Sequence, residues 1–165
     1  MNQIRTNNLN VDIMGKKVGF REIDYERFVE YLGDQIARRF NNSHLVVLLG
    51  LRTGGECLSE TLESYLLKQG INVRRLVITV RPEEEKVEGL EDCPDYLRDS
   101  HIIGVDDALW KGNHLRVLSD YMERNREKFG YTDFHYAVIF DSLHQADFYC
   151  MQVPQRADRD SNKSI

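Results

Sequence analysis

The stretch His101-Ile-Ile-Gly-Val-Asp-Asp-Ala-Leu-Trp-Lys-Gly-Asn-His-Leu115 carries the pattern that decides the fold. Residues 101–105 read as a strand, and two adjacent carboxylates, Asp106 and Asp107, stand at its carboxyl end. Gly112 follows at the start of a helical pattern over 111–129 that places Leu115, Leu118, Met122 and Phe129 on one face. Carboxylates can accept hydrogen bonds from the vicinal hydroxyls of a ribose. One or two of them also suffice for a divalent ion such as Mg2+, which keeps several of its waters. A glycine turn at a helix start presents backbone N–H groups to phosphate. The plainer alternative is that Asp106 and Asp107 cap a loop and stay hydrated.

Upstream lies a second strand end. Residues 45–49 form an unbroken apolar run, the mark of a strand buried on both faces, and lead into Gly50-Leu-Arg-Thr-Gly-Gly55. The paired glycines allow a tight turn whose N–H groups face an anion at the start of the next helix, with Arg52 as a forked cationic donor. A Gly-rich turn between strand and helix is often only a turn.

Around these two points the chain alternates helix and strand. Asp24 reads as the N-cap of a helix carrying Tyr25, Phe28, Val29, Leu32, Ile36 and Phe40 inward. A second helix from about Gly55 turns Leu58, Leu62, Tyr65 and Leu66 inward, and Gly70 suits the position after its end. Residues 73–80, 135–140 and 148–153 read as further strands, and 11–14 with 17–21 as a small hairpin about Gly15. Residues 81–100, rich in Glu and Asp and broken by Pro82, Gly89 and Pro94, read as an exposed, mobile acidic connection. The alternation predicts an α/β fold: a Rossmann-like, mostly parallel sheet with helices on both faces. Ligands of such sheets sit beyond the carboxyl ends of the strands.

The 165 residues suit one domain, 1–154, with a polar tail at 155–165. A formal net charge of -5 offers no broad basic surface for nucleic-acid backbones. No apolar run is long enough for a membrane span or a signal segment, and Cys57, Cys93 and Cys150 lie far apart, so a reduced, cytoplasmic protein is expected. His44, His101, His135 and His144 are isolated and read as structural, and Cys57 as a core residue.

The two strand-end motifs, in this order and spacing, resemble the type I phosphoribosyltransferases. That family's ribose 5-phosphate site runs from apolar residues through two acidic residues to a Thr-Gly-x-Thr turn. Ile102-Ile-Gly-Val-Asp-Asp-Ala-Leu109 matches its first half, and the resemblance covers about residues 20–154. It implies that Leu51, Arg52, Thr53, Gly54 and Gly55 bind pyrophosphate. Asp106, Asp107, Trp110, Lys111, Gly112, Asn113 and His114 would then bind ribose 5-phosphate. Asp106 and Asp107 would hold Mg2+, partly through water, and Arg52 would join them in catalysis. It also implies a small hood of terminal segments, a loop at 81–100 that closes over the substrate, phosphoribosyl pyrophosphate or a nucleotide-like molecule as ligand, and a homodimer by default.

The turn itself departs from the family. Lys111 and His114 stand where hydroxyl residues are usual, and only Gly112 is kept. Near the base, Asp141, Phe148 and Met151 fall at the family's base-binding positions. Trp110 replaces an acidic residue, Asp141 a lysine and Met151 a stacking aromatic, which points away from a 6-oxopurine acceptor. Asp141 suits an amino-bearing base instead. Two functions follow: transfer of ribose 5-phosphate to a nitrogenous base with release of pyrophosphate, or a nucleotide- or sugar-phosphate-binding regulatory or assembly module on the same fold.

Overall fold

The apolar run at 45–49 forms the middle of a six-stranded sheet. The computed structural model describes residues 10–13, 16–19, 22–41, 45–52 and 54–153. Thr53, the tail 155–165 and parts of the first expected hairpin (14 and 20–21) lie outside these. In chain order the elements are β1 (Asn10–Ile13), β2 (Lys16–Gly19), α1 (Glu22–Arg39), β3 (Leu45–Leu51), α2 (Gly55–Lys68) and β4 (Val73–Arg81). After a turn of 3-10 helix at Pro82–Glu84 come β5 (Lys86–Glu88), α3 (Pro94–Leu97), β6 (Ser100–Leu109), α4 (Asn113–Arg124), α5 (Arg126–Phe129), β7 (Asp133–Asp141) and β8 (Phe148–Gln152). β1 and β2 pair antiparallel as a separate two-stranded sheet.

The main sheet runs β5-β4-β3-β6-β7-β8. All of its pairings are parallel except β4 with β5. Alternation along β3 explains its composition. Val46 and Leu48 pack under α1 and α2 with Leu32, Ile36, Leu58 and Leu62. Val47 and Leu49 face the other layer, with Ile102, Leu118, Met122 and Phe129. Neither face of β3 meets water, so no polar position interrupts the run. Each fully buried aliphatic side chain contributes about 1.5–3 kcal/mol relative to exposure.

Four expectations need correction. Helix α1 begins at Glu22, two residues before the expected cap. The helical pattern at 111–129 divides at Asn125, whose side-chain amide donates to the Tyr121 carbonyl (2.8 Å). β6 continues to Leu109, because Ala108 and Leu109 pair with Phe140 and Asp141, so the two carboxylates lie within a strand rather than beyond its end. Residues 81–100 are not an open loop: Lys86–Glu88 returns along β4, and Val87, Leu90 and Leu97 are buried. Their acidic composition hid three apolar anchors. Among the described residues no helix is long and apolar enough to cross a membrane.

Candidate active site at the carboxyl edge of the sheet

β3 and β6 are neighbours, with Gly50 opposite Val105, so the turn after β3 runs beside Asp106 and Asp107. The backbone N–H of Arg52 donates to the Ile78 carbonyl (2.8 Å), tying the turn to β4 and leaving the Arg52 side chain exposed. Leu51 is buried, so it can serve the site only through its backbone. Thr53 lies outside the described residues. Gly54 caps α2 without any side-chain capping bond, and the amides of that first turn have no helical partner of their own.

Gly54 joins the two motifs. A Cβ built there would stand 2.8 Å from Oδ1 of Asp106 and closer still to Oδ1 of Asp107. Consecutive strand residues ordinarily point to opposite faces, yet both carboxylates reach this one glycine. Asp106 is 7% exposed; its Oδ1 accepts the backbone N–H of Asp107 (2.9 Å), and its Oδ2 lies 3.6 Å from Nδ1 of His114. Burial, and then the charge of Asp106, push the Asp107 carboxyl up to about 6. The Asp106 carboxylate beside it raises His114 above the ordinary imidazole value.

The turn between β6 and α4 is built on Gly112, at φ 71°. Only glycine adopts that conformation without strain, and a Cβ there would also meet Leu143 Cδ1 at 2.9 Å. Trp110, Lys111, Asn113 and His114 are all exposed around it. One helical turn further on, Arg116 pairs with Glu85 (3.2 Å) at the tip of the β4–β5 hairpin and with Asp120 (3.5 Å). A cleft of about 410 Å³ runs from Gly112 along α4, bounded by Arg116, Tyr136, Gln145 and Asp147. It borders the glycine turn but leaves out the two carboxylates.

The sequence matches no protein-family model and no curated protein. Its structure is similar to that of a hypoxanthine-guanine phosphoribosyltransferase from Bacillus anthracis, 19% identical, with 81% of this chain and 79% of that one covered and a TM-score of 0.63. A hypoxanthine phosphoribosyltransferase from Staphylococcus aureus shows 15% identity, coverage of 95% and 85%, and a TM-score of 0.66. One from Trypanosoma cruzi shows 17%, 88% and 81%, and 0.67. The fold is that of the type I phosphoribosyltransferases. At these identities the likeness speaks for the fold.

Within this phosphoribosyltransferase fold the expected base-binding residues separate. Asp141 is fully buried, and its two oxygens accept the backbone N–H groups of Leu143 (3.0 Å) and Ala146 (3.1 Å). It holds the β7–β8 loop, and the amino-bearing base expected of it loses its acceptor. Phe148 packs in the core, 6.1 Å from the Phe40 ring and 5.8 Å from His135. Met151, 39% exposed, alone of the three offers its side chain to a ligand. Cys57, expected in the core, is exposed on α2.

Asp106 and Asp107 are hard oxygen donors, and Gly54 leaves no side chain between them and the turn after β3. That donor set fits Mg2+, which takes one or two carboxylates and completes its shell with water and substrate oxygens. Among the described residues no group of three His, Cys, Asp or Glu side chains converges on a metal position. The sequence reading passed over Arg116 and Tyr136. Arg116 left no signal, being one of many surface cations. Tyr136 had one: Gly104, a lone glycine inside a strand pattern, marks a close approach by a neighbour. That neighbour is Tyr136.

Proposed function

We propose that this chain binds phosphoribosyl pyrophosphate with Mg2+ and transfers ribose 5-phosphate to a nitrogenous base. In that reaction the base nitrogen forms a bond to C1 of the ribose and loses its proton. The C1–oxygen bond breaks, and pyrophosphate leaves with the electron pair. The observation that carries the reading is the convergence of the Gly54 turn and the Asp106–Asp107 pair at the carboxyl edge of β3 and β6. Each half alone has a bland explanation, but a glycine without room for a Cβ between an anion-type turn and two carboxylates argues for one shared ligand.

The residues divide the charge of the transition state between them. Asp106 and Asp107 accept from the ribose hydroxyls and face the positive charge that develops on the sugar. Arg52 and the amides at the start of α2, which have no acceptor within the helix, face the negative charge on the departing pyrophosphate. Preorganised donors of this kind are worth about 3 kcal/mol each. The amides around Gly112, with Lys111 and His114 in place of hydroxyl donors, receive the 5-phosphate. Mg2+, held by Asp106 and Asp107 partly through water, would neutralise pyrophosphate charge. The acceptor differs from a 6-oxopurine: at the position where that subfamily uses a lysine, Asp141 instead braces the loop.

A second reading, a regulatory module that binds a nucleotide or sugar phosphate, is favoured by one observation. The acidic tip Glu83–Glu85 lies beside α4, held there by Glu85–Arg116, and puts negative charge near the phosphate turn. Calorimetric titration with phosphoribosyl pyrophosphate, with and without Mg2+, tests both. Metal-dependent micromolar binding, about -8 kcal/mol, that is lost in Asp106→Asn, together with pyrophosphate release in a screen of bases, supports transfer. Binding without release supports the module. No binding at millimolar ligand sinks transfer and leaves the regulatory or assembly module, with a different ligand.

A further inference from the structure

Tyr136 lies in β7 opposite Gly104 of β6. A Cβ on Gly104 would stand 2.8 Å from Cδ2 of its ring, so the ring lies across the glycine. Asp106 is two residues further along β6 on the same face, about 6.6 Å away by strand geometry, a distance that a tyrosine side chain spans. Tyr136 is 1% exposed, and its hydroxyl is buried without a hydrogen-bond partner. Burial first, and then the Asp106 carboxylate, hold the phenol well above its ordinary value, so that carboxylate acts on a hydroxyl that has no bonded partner. Phenylalanine would fill this space without stranding a donor, and a buried unpaired hydroxyl is destabilising. Asp106 has acceptor capacity to spare: one oxygen takes the Asp107 N–H and the other faces His114 at 3.6 Å, whereas a carboxylate offers about four lone-pair sites.

We infer that Tyr136 is a positioning residue for Asp106: its hydroxyl, unpaired in the ligand-free fold, turns to donate to the carboxylate when ligand binds and holds it in the orientation that ribose and metal require. The inference rests on the proposed phosphoribosyl site. Tyr136 touches neither substrate nor metal. It acts by limiting the rotation of Asp106, which among the described residues is approached from α4 by His114 at 3.6 Å.

Two measurements test it. In ligand-free protein carrying 3-fluorotyrosine at position 136, Asp106→Asn should move the fluorine resonance and Asp107→Asn should move it less. An Asp106→Asn variant with the resonance unmoved overturns the proposal whatever the ligand. In calorimetry, Tyr136→Phe should keep a melting temperature at or above wild type and yet lose about tenfold in affinity for phosphoribosyl pyrophosphate with Mg2+, the worth of a hydrogen bond to a charged group. Unchanged affinity in Tyr136→Phe, with wild type binding, overturns the positioning role and leaves the functional reading standing. Failure of wild type itself to bind overturns that reading and this role with it.

Discussion

Gly54 rests directly against the carboxylate of Asp107, with no space between them for even a methyl group. Its backbone is helical, at φ -91° and ψ -43°, so alanine there meets no conformational penalty. The consequence of Gly54→Ala is therefore steric alone. The variant should lose about 1–3 kcal/mol of stability by overpacking, and at least tenfold in affinity for phosphoribosyl pyrophosphate. Urea unfolding and calorimetry check this. Wild-type values in both would mean that the turn and the carboxylates are not in contact.

Asp107→Asn should separate stability from function. Its folded pKa, raised to about 6, exceeds the unfolded value of about 3.9. The folded state therefore binds the proton more tightly, and stability falls as pH rises from about 4 through about 6. At neutral pH the ionised pair costs stability. Asparagine removes that cost, about 1–2 kcal/mol after discounting for partial exposure, which raises the melting temperature by a few degrees. Ligand affinity should fall in the same variant. A lower melting temperature at pH 7.5 would count against the pair being held together by the fold at a cost.

His135 gives the opposite end of the sheet its own pH dependence. Its nitrogens lie 3.3 Å from Asp133 and from Asp147, and the Asp147 partner raises its pKa above the ordinary value despite burial. Protonation thus adds stability that is full below the unfolded value of about 6.5 and lost as pH rises through the higher folded value. Between pH 6 and 8, wild type should lose more stability than His135→Gln. Parallel denaturation midpoints across that range would exclude the effect.

Glu85 and Arg116 meet 3.2 Å apart at the surface, both more than half exposed, so their pairing contributes little to folding. Removing the charge at the tip should instead act on phosphate. A Glu83→Gln, Glu85→Gln variant should keep its melting temperature and bind phosphoribosyl pyrophosphate severalfold more tightly in dilute salt. The gain should shrink at 0.5 M salt, where screening is nearly complete. Equal affinities at low salt would show that the tip does not influence the turn.

The central strands and the helices were legible because their signals are local. The unbroken run at 45–49 reads as a strand covered on both faces, and the glycines at 54, 55 and 112 mark where a strand gives way to a helix. The segment 81–100 misled because eight acidic side chains outweighed Val87, Leu90 and Leu97, which are buried in one cluster with Met122, Phe129 and Tyr131, remote in sequence. Asp141 misled for a related reason: a strand-end carboxylate looks free until the following loop folds back and donates two N–H groups to it.

By itself, the order of residues determined the alternation of strand and helix, the parallel sheet, and the two turns where an anion and a ribose could be met, since periodicity and glycine placement act over a few residues. Only the tertiary structure decided that both carboxylates face Gly54, that the Tyr136 ring lies across Gly104, and that an acidic hairpin stands beside the phosphate turn. Those are distances between segments tens of residues apart, set by the packing of the two layers on the sheet, and no local pattern encodes them.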